Sequence, residues 1–360
     1  MRKFTLISLW LVFLFVLLEL AGLAFFTLYD IKPISGYGYP EGIYAEHAEL
    51  GYLYQPGFSG VFKGSAYQHI PININEHGFR DAPFPAKSPG RPRILVTGDS
   101  VVFGPGVKKQ DRFTECLQEN RMGLPGAVEV LNLGINSWTF EHYATLADLN
   151  YLDLDPDFVL VGITLNDFAR MENAKPAKRI DRHKSEFAKP VWFGRLQERL
   201  ARTYAARFIN ELQTRYTYAR MNSDELEEYH TKWMRTIVSS WADAENVRYF
   251  TVQLQRFLGT MSKQGAVYAF VLFPELNDLL DPEEFGQPRK AARAILEDKG
   301  LKYCDPYEKF RAAGDPASLF LPHDDVHYTA AGHALLCSAL IDCITDNRIP
   351  MVSVSGGHTP

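Results

Sequence analysis

From Arg93 onward the chain alternates short apolar runs with longer amphipathic ones, and this alternation limits the possible folds more than any other feature. The pattern predicts strands over 93–97, 128–134, 157–162, 266–273 and 302–305. It predicts helices over about 111–122, 139–152, 287–299 and 330–346. Strands that alternate with helices pair in parallel, so the expectation is a mainly parallel, doubly wound sheet. In such a sheet the carboxyl ends of the strands gather along one edge, which is where ligands bind. The residues that follow each strand therefore matter most.

Four polar blocks stand there. Gly98-Asp99-Ser100 follows the first strand, and Gly134-Ile135-Asn136-Ser137 closes the second. Thr164-Leu165-Asn166-Asp167 follows the third, and Asp324-Asp325-Val326-His327 precedes the last helix. A serine hydroxyl is a weak nucleophile until a base takes its proton. A histidine held by a carboxylate can do that, and amide N–H groups can receive the oxyanion that forms. Each block also has a plainer reading. Ser100 is a candidate helix N-cap, Asn166 a turn residue, and His327 a polar neighbour of an N-cap at Thr329. Asp325 and His323 compete for the carboxylate and base, though their spacing fits less well. His323, Asp324, Asp325 and His327 are dense in metal-ligand types, yet no second cluster completes a metal site.

In this order the blocks resemble those of the SGNH (GDSL) hydrolase family, and the resemblance covers residues 93–347. It implies a three-layer α/β/α sandwich around a flavodoxin-like, mainly parallel sheet. It also implies Ser100 as nucleophile, His327 as base and Asp324 as third triad member. Ser100, Gly134 and Asn166 would line the oxyanion hole, with no metal or cofactor. Two positions depart from the family pattern: Val101 stands where leucine is common, and Thr164 where glycine is common. Neither removes a reacting group. The implied activity is a serine ester hydrolase that removes acyl or acetyl groups from a lipid or glycan. An O-acyltransferase acting on an exported polysaccharide and a non-catalytic glycan-binding scaffold are the alternatives.

The N-terminus sets the compartment. Phe4 to Tyr29 is an almost unbroken apolar run whose one charge is Glu19, longer than the roughly 20 residues that span a bilayer. Arg2 and Lys3 precede it, which places the N-terminus in the cytoplasm and the rest across the inner membrane, on the periplasmic side. Residues 1–29 are therefore expected to be an anchor; a signal peptide cleaved near Gly22-Leu23-Ala24 is the rival. A net charge of -5 excludes a global basic footprint, so no nucleic-acid partner is expected. Residues 30–92 read as a linker with small β elements, in which Phe79 and Arg80 are candidates to dock on the main domain. A helical insertion is expected over about 168–265, and 348–360 as a tail. Within the insertion, Leu196, Leu200, Tyr204, Phe208, Leu212 and Tyr216 recur at spacing four among arginines, an amphipathic helix pattern that suits packing, an acyl-pocket lid or a membrane surface. Cys116, Cys304, Cys337 and Cys343 make no metal or disulfide pattern and read as small buried hydrophobes, although export would permit a disulfide.

Overall fold

The computed structural model describes residues 2–28, 43–62, 70–120, 127–170, 203–206, 208–209, 212, 216, 220, 223–321 and 324–349. The chain begins with helix α1 (Arg2–Leu28) and two antiparallel hairpins, β1 (Tyr44–His47) with β2 (Gly51–Tyr54) and β3 (Ser59–Phe62) with β4 (Ile70–Asn73). Then come β5 (Arg93–Gly98), α2 (Ser100–Phe103), α3 (Phe113–Glu119), β6 (Glu129–Gly134), α4 (Phe140–Asp148) and β7 (Phe158–Ile163). Helices α5 (Ser223–Ala242) and α6 (Ala244–Gln264) lead to β8 (Val267–Leu272), α7 (Gln287–Asp298), β9 (Tyr303–Cys304) and α8 (Ala330–Thr345).

The five strands from β5 onward form one parallel sheet in the order β6-β5-β7-β8-β9. This is the flavodoxin-like winding, and its reversal lies between β5 and β7, the strands that carry Ser100 and Asn166 at their ends. Both faces are covered, so β5, β6 and β7 are buried along their whole length. Alternate residues still serve opposite layers. Leu95, Val159, Val161, Phe270 and Leu272 pack with α4, α5 and α6, whereas Ile94, Val96, Leu160 and Val271 pack with α3 and α8. The fold is thus a three-layer α/β/α sandwich, as the family resemblance implies.

Thr5–Phe25 in α1 has a mean hydropathy of 2.5 and is the one stretch among the described residues long and apolar enough to cross a membrane. An anchor and a signal sequence both have these properties. The predicted helix over 196–216 falls largely outside the described residues. Tyr204, Phe208, Leu212 and Tyr216, among the described positions within it, are helical.

Two findings add to the sequence reading. The small β elements before β5 are packed into the domain, with Tyr52, Tyr54, Ile72 and Phe79 fully buried in the same core as α4 and α6. Burying a side chain such as Phe79 stabilises by about 1.5–3 kcal/mol. Its neighbour Arg80 is buried too; it donates to the carbonyls of Phe103, Gly104 and Val107 and lies over the Phe103 ring. The terminal carbonyls of α2 thereby acquire a cationic cap. The four cysteines are also not free. Cys116 in α3 is bonded to Cys337, and Cys304 in β9 to Cys343, so both bridges fasten α8. Such cross-links typically stabilise by about 2–4 kcal/mol each.

Candidate active site

Ser100 sits where β5 turns sharply into α2. A Cβ on Gly98 would lie 2.3 Å from Val102 Cγ2, so only glycine lets the short helix fold back onto the strand. The helix is capped by Asp99, whose Oδ1 accepts the Val101 N–H at 2.9 Å, so Ser100 is not the cap and its side chain is free for another task. Ser100 Oγ lies 2.7 Å from His327 Nε2, and His327 Nδ1 lies 2.6 Å from Asp324 Oδ2.

The loop before α8 presets this pair. Asp324 Oδ1 accepts the N–H groups of Val326 and His327, each at 3.0 Å, which orients its second oxygen towards the imidazole. Burial disfavours the Asp324 carboxylate, but His327 and the two N–H donors outweigh it and hold Asp324 below its ordinary value. Burial likewise disfavours the His327 imidazolium, yet the Asp324 carboxylate raises His327 above its ordinary value. The pair can therefore accept a proton at Nε2 and hold it. Asp325 faces elsewhere: its Oδ2 accepts from Asn277 Nδ2, and its carbonyl from Leu276 N–H. His333 is buried against Phe113, whose N–H it accepts.

Across the reversal, Thr164 fills the position where glycine is expected. Its hydroxyl lies 2.5 Å from Asn166 Oδ1 and 3.0 Å from Asp99 Oδ2. The one hydroxyl proton can serve only one of these two acceptors at a time. Burial pushes Asp99 up and the neighbouring Asp167 well above its ordinary value. With Oδ1 occupied, Asn166 keeps its Nδ2 hydrogens as donors.

Gly134 needs correction as an oxyanion donor. Its N–H is already given to Asn132 Oδ1 at 3.0 Å, and the next N–H, that of Ile135, is the one that turns towards β5, bonding Gly98 O. Successive N–H groups of a strand point to opposite sides, so Gly134 points away from Ser100's strand. Its glycine is needed for packing instead: a Cβ there would lie 2.2 Å from Phe103 N. Three residues on, Ser137 holds φ at 61°, and its N–H makes no hydrogen bond among the described residues. The turn is fixed by the N-terminal hairpin, with Asn136 N–H donating to Tyr54 Oη and Tyr52 Oη donating to Asn136 O, each at 3.0 Å. Sequence reasoning missed these tyrosines, and no local signal marks them.

Glu275 was also missed. Its Oε1 accepts the Leu165 N–H at 3.0 Å, while Oε2 is buried without a partner. Burial pushes Glu275 up to about 8, with Arg289 opposing and Asp278 and Asp99 reinforcing. The folded state then binds a proton that the unfolded chain, at its ordinary 4.5, has released. Stability from this group is therefore highest at acid pH and declines as pH rises to about 8. Glu275→Gln keeps the acceptor for Leu165 and should lessen that decline in urea unfolding run across this range. Asp99 and Asp167 act in the same direction, so part of the slope will remain; an unchanged slope would exclude Glu275 as its source.

No group of three or more metal-ligating side chains occurs among the described residues. A cavity of about 400 Å³ beside β9, lined by Arg293, Tyr303, Asp305, Tyr307 and Arg348, contains none of the residues above.

A serine at the switch point, in contact with a histidine that meets an aspartate on the loop before the last helix, is the arrangement that α/β serine hydrolases use. Residues 96–335 match the GDSL-like lipase/acylhydrolase family, and the chain belongs to that family, whose members are ester hydrolases. Among solved structures it is similar to a lipolytic G-D-S-L family protein from Veillonella parvula, with 12% identity over 70% of this chain and 98% of that one and a TM-score of 0.41. It is also similar to the lipase/acylhydrolase from Enterococcus faecalis (15% identity, 71% and 96% covered, TM-score 0.40). A third is the acetylxylan esterase Axe2 from Geobacillus stearothermophilus (14% identity, 72% and 97% covered, TM-score 0.39). No curated protein matches the chain.

Proposed function

We propose that the protein is a serine esterase held at the membrane by α1, which removes acyl or acetyl groups from a lipid or glycan outside the cytoplasm. The observation that carries this reading is the unbroken contact from Ser100 Oγ through His327 to Asp324, at 2.7 and 2.6 Å. Ser100 Oγ attacks the ester carbonyl as its proton passes to His327 Nε2. The developing oxyanion is received by the Ser100 N–H and the Asn166 amide, with the Ser137 N–H as third donor in place of Gly134. Collapse breaks the ester bond, and the leaving alcohol takes the proton from His327. Water then repeats the sequence on the acyl-enzyme, releasing the acid and restoring Ser100.

Two features support a site outside the cytoplasm. Arg2 and Lys3 lie before the apolar helix, and both disulfides suit an oxidising compartment. The test is a membrane-impermeant fluorophosphonate probe applied to spheroplasts of an expressing bacterium. The expected result is labelling of a single peptide that contains Ser100. Labelling elsewhere would remove Ser100 as nucleophile. Labelling only after lysis would move the domain to the cytoplasm. Feeding the acyl-enzyme with candidate glycans then separates hydrolysis from transfer: an acylated glycan instead of free acid would replace the esterase by an O-acyltransferase.

A further inference from the structure

The helical insertion does more than cover the sheet. Trp241, in the last turn of α5, is buried, and its indole Nε1–H donates to Leu165 O at 2.6 Å. That carbonyl belongs to the peptide unit joining Leu165 to Asn166. On the preceding peptide unit, the Leu165 N–H donates to Glu275 Oε1 at 3.0 Å. The loop is thus gripped at consecutive peptides from opposite elements, one being the insertion and the other the segment after β8. Its next residue is tied down as well, since Asp167 accepts from Thr164 N–H at 3.0 Å and from Tyr143 Oη at 3.1 Å. Between these fixed points the Asn166 side chain is oriented by the Thr164 hydroxyl, which takes its Oδ1.

We propose that Trp241 and Thr164 are positioning residues that aim the Asn166 amide at the oxyanion, Trp241 by holding the Leu165–Asn166 peptide and Thr164 by fixing which end of the amide faces the substrate. The inference rests on the reading of Asn166 as an oxyanion donor. The insertion is then part of the catalytic apparatus, because it supplies a polar atom that nothing on the sheet replaces. Trp241 is held in its own rotamer by ring contacts to Phe168 at 6.0 Å and Phe250 at 5.5 Å, so its N–H is delivered by rigid packing.

Trp241→Phe removes the N–H and keeps an aromatic ring; Thr164→Val removes the hydroxyl and keeps the shape. Each is expected to lower kcat about 10–100-fold with KM little changed, since a misaimed donor weakens only the binding of the transition state. Affinity for a boronic acid, a tetrahedral mimic, should fall in parallel. Asn166→Ala alone should cost about 10²–10³ in kcat. In that background neither substitution should cost anything further, because the amide they aim is gone. Full additivity with Asn166→Ala, or a fall in kcat only in proportion to the unfolded fraction in a thermal melt, would overturn the positioning role. An Asn166→Ala enzyme with undiminished kcat would instead overturn the oxyanion reading beneath it.

Discussion

Ser100→Ala will lower kcat on a short p-nitrophenyl ester about 10⁶-fold, the scale seen when a triad serine is removed from an enzyme whose oxyanion hole remains. The residue supplies the atom that forms the new bond, and no other hydroxyl among the described residues meets His327 Nε2, which lies 2.7 Å from Ser100 Oγ. The fold should not suffer. Asp99, not Ser100, caps α2, and beyond the histidine the substitution removes only a long hydrogen bond from Ser100 Oγ to Asp99 Oδ2, at 3.4 Å. The far-ultraviolet circular dichroism and melting temperature should therefore match the parent. Turnover at the parent rate by such a folded variant would remove Ser100 from the mechanism and leave the 2.7 Å contact without a role.

How much of this could be read beforehand depended on the range of the forces involved. The strands announce themselves because burial on both faces demands continuous apolar runs: β5 through β9 lie within a residue or two of their expected places. The Ser100, Asn166 and His327 blocks were visible because each hangs on the end of a strand or the start of a helix. Gly134 was misread because glycine at a strand end signals close approach without saying what approaches; here it is the backbone of α2. In the clamp before β5, Phe79 and Arg80 were visible as docking candidates, but Tyr52 and Tyr54 left little local trace. Four-residue strands carry too short a period to recognise, and the carbonyls that Arg80 bonds lie 23 to 27 residues away. The cysteines show the same limit. Cys337 and Cys343 point in different directions along α8, as their spacing of six requires, but their partners are 221 and 39 residues distant. Trp241 was equally hidden, since an indole N–H that serves a distant carbonyl looks like one more core aromatic in the sequence.

Asp324→Asn will lower kcat about 10⁴-fold and will also move the pH profile, and the second effect identifies the cause of the first. The carboxylate accepts from His327 Nδ1 at 2.6 Å, which fixes the tautomer that leaves Nε2 free to accept the serine proton. Asparagine keeps the size and can still take the N–H groups of Val326 and His327 with its amide oxygen. Its NH₂, facing Nδ1, would then favour the tautomer with the proton on Nε2, the wrong one for a base. In the parent, His327 must be neutral to act, and it titrates above its ordinary 6.5 because the attraction of Asp324 exceeds the cost of burial. The acid limb of kcat/KM therefore lies above 6.5, with activity lost as pH falls through it. Once the negative charge is removed, the largest influence opposing burial is gone, so the limb of the residual activity should shift to lower pH. A fall in kcat with an unmoved acid limb would mean that Asp324 only shapes the loop. A fall together with the downward shift would show its charge acting on the imidazole, the role that the 2.6 Å contact assigns to it.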